Sequence, residues 1–273
     1  MRALELTAGW PVPHVAAAAV LPDGTVATIG DPDRTFHIAS LTKMLVGWAL
    51  LIAAEEGSLP LITPVGQPGC TVRHLLAHAG GYSFDGANPI ARPEARRIYS
   101  NTGIALAADA LATAADMPFG EYLTEAVLHP LGMHSTTLSG SPAYGLTSTV
   151  ADLARFVHEL RAPRLLSAES TLAFRTVQFP GLAGMVPGIG RFSDCPWGLG
   201  TEIRGHKQPH WTGTNNSPAT YGHFGGTGTL LWVDPGACTG LIALTDRPFD
   251  EWSRDALRLW PAISDAVLVE VAG

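Results

Sequence analysis

Between Ser40 and Gly57 the chain offers water almost nothing. Met44, Leu45, Val46, Trp48, Leu50, Leu51 and Ile52 fall on most sides of a helix drawn through them. A helix that is apolar all round is a buried one. Whatever the fold, its other elements must wrap this segment. The apolar run from Met44 to Ala54 is too short to span a bilayer, so the burial is inside protein. Gly57 follows as a natural C-terminal cap. The spacing predicts a central helix over Ser40 to Glu56.

The flanks show what does the wrapping. Val15 to Leu21, the turn pair Asp23-Gly24 and Thr25 to Ile29 read as a hairpin over 14–29. Late strands are expected at Trp197 to Arg204, Gly228 to Val233 and Thr239 to Thr245. Between the two groups the pattern is helical: Gly103 to Ala115, Glu121 to Leu128 stopped near Pro130, a helix from a Thr149/Asp152 capping box through Leu160, and Ser167 to Val177. Residues 179–200, with their glycines and prolines, read as a long irregular loop that rims a site. A last helix is expected over Glu251 to Val269, bent or split at Pro261. Strands at both ends and helices between predict an α+β fold: an antiparallel sheet built from both termini, flanked by helices, with a helical insertion. The expected division is one domain over 1–273. Its sheet part is about 1–45 and 190–273, and its mostly helical part about 46–189.

Composition narrows the function. The 273 residues carry a net charge of −7. That argues against nucleic acid, which needs a basic face, and against anionic membrane surfaces. Cys70, Cys195 and Cys238 stand far apart, with no C-x-x-C. Neither a disulfide framework nor a zinc site is expected, and a reducing compartment is. With no basic n-region before Val15, the expected location is the cytoplasm. No Walker A, G-x-G-x-x-G or G-x-S-x-G element occurs, so no cofactor is expected. His74 and His78 have a metal-like i, i+4 spacing but no intervening glutamate, and are read as structural. His206 and His210 share the spacing, but Pro209 disfavours a helix there.

Three short segments carry chemistry. Ser40 and Lys43 are three residues apart, on one face of a helix start. There a serine meets free N–H groups and the positive end of the helix dipole. Serine is also simply a favoured cap, so the spacing alone is common. The chain has fifteen arginines but only two lysines, Lys43 and Lys207. A lysine in an apolar helix of an arginine-using chain suggests a proton that can leave. Tyr99-Ser100-Asn101 pairs a phenol with an amide that can hold both a lysine and a substrate carbonyl. Gly222-His223-Phe224-Gly225-Gly226-Thr227-Gly228 leads into a strand, where a backbone N–H can join that of Ser40 in an oxyanion hole.

Serine-x-x-lysine on a buried helix, then Y-x-N, then H-x-G entering a late strand, resembles the serine β-lactamase-like family. That family includes class C β-lactamases, D-alanyl-D-alanine peptidases and family VIII esterases. Other stretches are similar too: His74-Leu75-Leu76-Ala77-His78 before two glycines, Pro130-Leu131-Gly132-Met133, Gly145-Leu146-Thr147-Ser148, and Leu231-Trp232-Val233-Asp234-Pro235. The likeness covers roughly residues 10–265. It implies a β-lactamase/transpeptidase-like fold. It also implies Ser40 as acyl-forming nucleophile, Lys43 and Tyr99 as proton-transfer partners, and Asn101, His223, Gly225 and Gly226 around the substrate, the N–H groups of Ser40 and Gly226 forming the oxyanion hole. Two departures stand out. His223 replaces a lysine and Phe224 a hydroxyl residue, which disfavours an anionic substrate head and favours a neutral ester or amide. The chain is short for class C enzymes and family VIII esterases, and lacks the E-x-x-L-N segment of class A. Trp197, Trp211, Tyr221 and Phe224 are candidates to line an acyl pocket. The expected activity is a serine hydrolase working on a small ester or amide. A β-lactamase or peptidase proper, and a non-catalytic binding protein on the same fold, are the alternatives.

Overall fold

The computed structural model describes residues 1–273. Six strands form the main sheet: β1 (Val15–Val20), β2 (Val26–Ile29), β3 (Glu202–Ile203), β4 (Tyr221–Gly225), β5 (Thr229–Asp234) and β6 (Thr239–Thr245). Their order is β2-β1-β6-β5-β4-β3, antiparallel throughout. The first hairpin thus joins the late strands through β1 against β6, as expected from the two ends of the sequence.

Side chains leave a strand alternately to its two faces, and the core divides accordingly. Ala16, Ala18, Leu231, Val233, Ile242 and Leu244 face the larger apolar cluster. Ala17, Ala19, Leu230, Trp232, Leu241 and Ala243 face a smaller one. Because both faces are covered, β1 can be the near-continuous apolar run Val-Ala-Ala-Ala-Ala-Val rather than an alternating one.

On the first face lies α1 (Thr42–Glu55), whose residues Thr42 to Ala53 are all buried. Around it pack α2 (Asn101–Ala115) and α3 (Val150–Arg161). On the second face lies α4 (Ser253–Ala272), a single continuous helix that runs through Pro261. The expected split does not occur. Burial of Trp260, Ile263, Ser264 and Val267 holds the turn together, although proline removes one backbone donor.

Other departures have local causes. Trp197 to Arg204 is not one strand. It folds back so that Trp197 bridges Glu202, and only Glu202–Ile203 pairs with β4. The reversal rests against α1: a Cβ on Gly47 would lie 2.3 Å from the Leu199 carbonyl oxygen, and one on Gly200 2.5 Å from that of Lys43. Residues 179–200 are not wholly irregular, since Gly184–Val186 and Gly190–Phe192 form a hairpin beside Arg97–Ile98. The H-x-G segment leads into β5 as expected, but it is also a strand itself, β4. The helical segment from Phe119 ends near Pro130 as expected, but it is not regular throughout. A π-type turn over Thr124–Leu128 carries it to Leu131, where Gly132 ends it in the left-handed region. The Thr149 hydroxyl accepts the Asp152 N–H, but the Asp152 carboxylate turns away to Ser135 and Thr136, so the capping box is half made. A box does close at Thr71 and His74.

All three cysteines are free. Burial pushes the Cys70 and Cys195 thiols up to about 11. Cys238 is exposed in the β5–β6 turn. No helix is long and apolar enough to cross a membrane.

Candidate active site

Ser40 does not cap α1. It sits in a short 3-10 turn, Ala39–Leu41, that leads into the helix. Ala39 before it has a left-handed backbone, φ +47°, a conformation costly for any residue with a Cβ. The turn is gripped from the sheet. Thr227 Oγ1 donates to the His37 carbonyl and Thr229 Oγ1 to that of Ile38. At Gly225 a Cβ would lie 2.6 Å from the Ile38 carbonyl oxygen and 3.1 Å from the Ala39 Cβ. Glycine at 225 therefore sets how closely β4 approaches the serine turn. No turn or loop hydrogen bond engages the N–H of Ser40 or of Gly226.

Three groups meet at the serine. Lys43 Nζ is 3.1 Å from Ser40 Oγ, and Tyr99 Oη donates to the same oxygen at 2.8 Å. Lys43 also donates to Asn101 Oδ1 and to the Ala143 carbonyl, each at 2.8 Å. Its Nζ stands 4.8 Å from the centre of the Tyr99 ring. Lys43 makes no ion pair. Burial outweighs the attraction of Asp85 and brings its ammonium down to about 7. Burial also pushes the Tyr99 phenol well above its ordinary range.

Each group has a local reason for its place. Ser100 caps α2 through Gly103 N–H and donates to the Ser83 carbonyl. That seats Tyr99 just outside the helix and Asn101 in its first turn. Asp85 accepts from Asn101 Nδ2 at 3.0 Å, so the amide oxygen is the atom left for Lys43. His78, fully buried, accepts the Ser100 N–H on Nδ1 and packs its ring 4.6 Å from that of Tyr99. Burial and the nearby cations Lys43 and Arg97 hold its pKa well below normal.

His223, on β4, places Nε2 3.4 Å from Tyr99 Oη. Burial first, and the Lys43 charge second, lower its imidazole to about 3. It is neutral at pH 7, as the sequence reading of the missing lysine expected. Trp197 and Phe224 line the cavity above Ser40, together with Phe84, Val186, Glu202 and Gly226. Trp211 and Tyr221 do not. Trp211 backs Phe224, and Tyr221 packs on Phe174 with its hydroxyl on the Leu160 carbonyl.

The structure thus brings Ser40, Lys43, Tyr99, Asn101 and His223 into one cluster, with Gly225 and Gly226 at its edge. It does not bring His74 to them: that side chain bonds Thr71 and Glu94 and stacks on Phe179. His206 and His210 are not a pair either, since His210 turns to Glu202 and Thr212. Sequence reasoning missed Asp85, Glu202 and the Ala143 carbonyl. A lone aspartate in a loop carries no spacing signal, and a backbone carbonyl carries none at all. The second lysine was a usable signal: Lys207 is buried and ion-paired to Glu202 at 3.1 Å.

Comparison with known proteins gives the family and the fold. A family model described as Beta-lactamase matches residues 13–264. The crystal structure of a beta-lactamase from Mycobacterium bovis is 52% identical, covers 98% of this chain and 99% of its own, and superposes with a TM-score of 0.96. EstCE1, a hydrolase with promiscuous acyltransferase activity, is 16% identical with a TM-score of 0.76 over 98% of this chain and 97% of that one, a likeness of fold alone. The D-alanyl-D-alanine-carboxypeptidase/endopeptidase AmpH of Escherichia coli K12 is 25% identical over 57% of this chain, which spans 58% of that relative's length.

Proposed function

The chain belongs to the beta-lactamase family, and from that premise we propose that it hydrolyses a small ester or amide through an acyl-enzyme on Ser40. One observation carries the reading. The Ser40 hydroxyl has an amine at 3.1 Å and a phenol at 2.8 Å, and the amine is buried without a carboxylate partner and titrates near 7.

A neutral amine has two N–H donors and one lone pair. The Asn101 and Ala143 oxygens take the two donors. The lone pair is left for the Ser40 proton. Lys43 is then the resting base and Tyr99, held protonated by burial, the relay. As Ser40 Oγ attacks, its proton passes to Lys43. The carbonyl oxygen gains charge against the N–H groups of Ser40 and Gly226, where each donor is worth about 3–4 kcal/mol. Tyr99 hands a proton to the leaving group and is resupplied by Lys43. Water then enters by the reverse route. His223, neutral, and Phe224, apolar, make the inner cavity a poor seat for a carboxylate and a fair one for an ester or amide.

The 52% identical relative is called a beta-lactamase, and this favours a second reading, cleavage of β-lactams. The test takes wild type and Ser40→Ala through a chromogenic ester, a chromogenic cephalosporin and a fluorophosphonate, with intact mass spectrometry. A Ser40-dependent adduct and ester turnover support the hydrolase. Efficient cephalosporin turnover that Tyr99→Phe weakens turns the reading to β-lactamase. No adduct at Ser40 with any reagent leaves a binding protein. We also keep a cytoplasmic location, on the free thiols, and a small molecule rather than nucleic acid as partner; cell fractionation tests the first.

A further inference from the structure

The cavity above Ser40 is about 180 Å³. Beside it lies a groove of about 580 Å³. Phe84, Tyr99 and Pro187 line both, so the two spaces share a wall.

Their charges are opposite. The inner cavity is lined by one unpaired acid, Asp250, by Glu202, whose charge Lys207 already matches, and by the neutral His223. The groove is lined by three arginines, Arg96, Arg97 and Arg191, and by no acid. Arg97 is buried, and its donors go to the carbonyls of Ala77, Cys195, Gln178 and Phe179, which leave its charge unneutralised by contact. Burial lowers it only to about 10, so it is a cation at pH 7. Arg96 and Arg191 are exposed, and neither side chain has a hydrogen bond or an ion pair. Five other arginines, Arg34, Arg155, Arg164, Arg247 and Arg258, each face a carboxylate. Asp194 acts on Arg97 from nearby but does not line the groove. The body between the cations is apolar, with Ile90 and Met185 exposed at 56% and 49%.

We propose that this groove is the subsite for the distal part of the substrate: an apolar alkyl or aryl segment that ends in a carboxylate held by Arg96 and Arg191. Forked donors suit a carboxylate, and the apolar body suits the segment that leads to it. Two unpaired cations lining one groove beside exposed apolar side chains offer what an amphipathic anion needs. The inference rests on the hydrolase reading for which end of the substrate reaches Ser40. The head of such a substrate is neutral and its tail is anionic, the reverse of a molecule whose acid lies beside the scissile bond.

The probes are 8-phenyloctanoate and its primary amide, bound to Ser40→Ala protein and followed by calorimetry at two salt concentrations. The acid is expected to bind at least tenfold more tightly than the amide, with the gap narrowing at high salt. Arg96→Gln combined with Arg191→Gln is expected to bring the ratio close to one, in a variant whose melting shows it folded. Equal binding of acid and amide, or a preference that survives both substitutions, overturns the proposal. A second arm compares turnover by wild type of mono-p-nitrophenyl suberate and its methyl-capped form, where a tenfold higher kcat/KM for the free acid is expected. Turnover of both esters through Ser40 without a preference defeats the groove alone. Absence of any Ser40-dependent turnover defeats the hydrolase reading, and the binding arm still decides the groove.

Discussion

The two lysines are both buried and are used in opposite ways. Lys207 faces Glu202 at 3.1 Å, and the same carboxylate takes the Trp211 N–H at 2.8 Å and His210 at 3.2 Å. The Lys207 cation, with the hydrogen bonds from His210 and Trp211, holds that carboxyl well below its usual range in spite of burial. Lys43 faces two carbonyl-type oxygens and a hydroxyl, and no anion. One lysine is held in place by its charge, and the other has its charge made expensive. The difference teaches what burial of an ionisable group is for. Paired, it fixes structure behind β4; unpaired, it stores a base where a serine can use it.

The largest expected effect separates the two by rate. Lys43→Met removes the base and should lower kcat/KM for an ester by about 10³–10⁴-fold, or about 4–5 kcal/mol. Lys207→Met should lower it far less. A comparable loss in both, measured under the same conditions, breaks the contrast.

The second effect separates them by stability. Lys207→Met leaves the Glu202 charge buried without its cation and should cost about 3–5 kcal/mol in urea unfolding. Glu202→Gln added to it should recover most of that cost, because no charge then remains to be paired.

A third sharpens the account of Lys43 by pH. Its folded pKa of about 7 lies below the unfolded value of 10.5. Between those limits the unfolded chain binds the additional proton, so stability rises with pH. The slope should approach about 1.4 kcal/mol per pH unit relative to Lys43→Met. The same deprotonation should make kcat/KM climb through about pH 7 and level off above it, with no early fall because Tyr99 stays protonated.

The smallest effect concerns the turn that carries the nucleophile. Ala39→Gly relieves the left-handed strain and should change stability by less than about 1 kcal/mol. Any loss of rate would show that the strained backbone positions Ser40.

How much of this was legible in the sequence depends on the distance over which each feature is decided. The central helix and the strand-helix-strand order were legible because burial pattern and chain order are local to the text. Ser40, Lys43, Tyr99 and Asn101 were legible because each sits in a short motif. Strand β4 was not, since Gly222 and Gly225 weaken β-propensity while the close approach to Ile38 and Ala39 requires glycine. Trp197 to Arg204 misled for the opposite reason: its residues suit a strand, but Gly198 and Gly200 let it fold back on α1. Asp85 and Glu202 act only through partners far along the chain, Asn101 at 16 residues and Trp211 at 9, and no spacing announces them.

The three thiols have one practical consequence. Cys70 and Cys195 are buried, with acidities too weak for attack at neutral pH, whereas Cys238 faces solvent at the end of the sheet where Asp234 pairs with Thr239. The opposite end is where Gly225 pairs with Thr229, roughly 17 Å away at the rise of an extended strand. A maleimide dye should therefore attach at a single place, remote from the reactive serine, and tether the protein to a surface with its cleft turned outward.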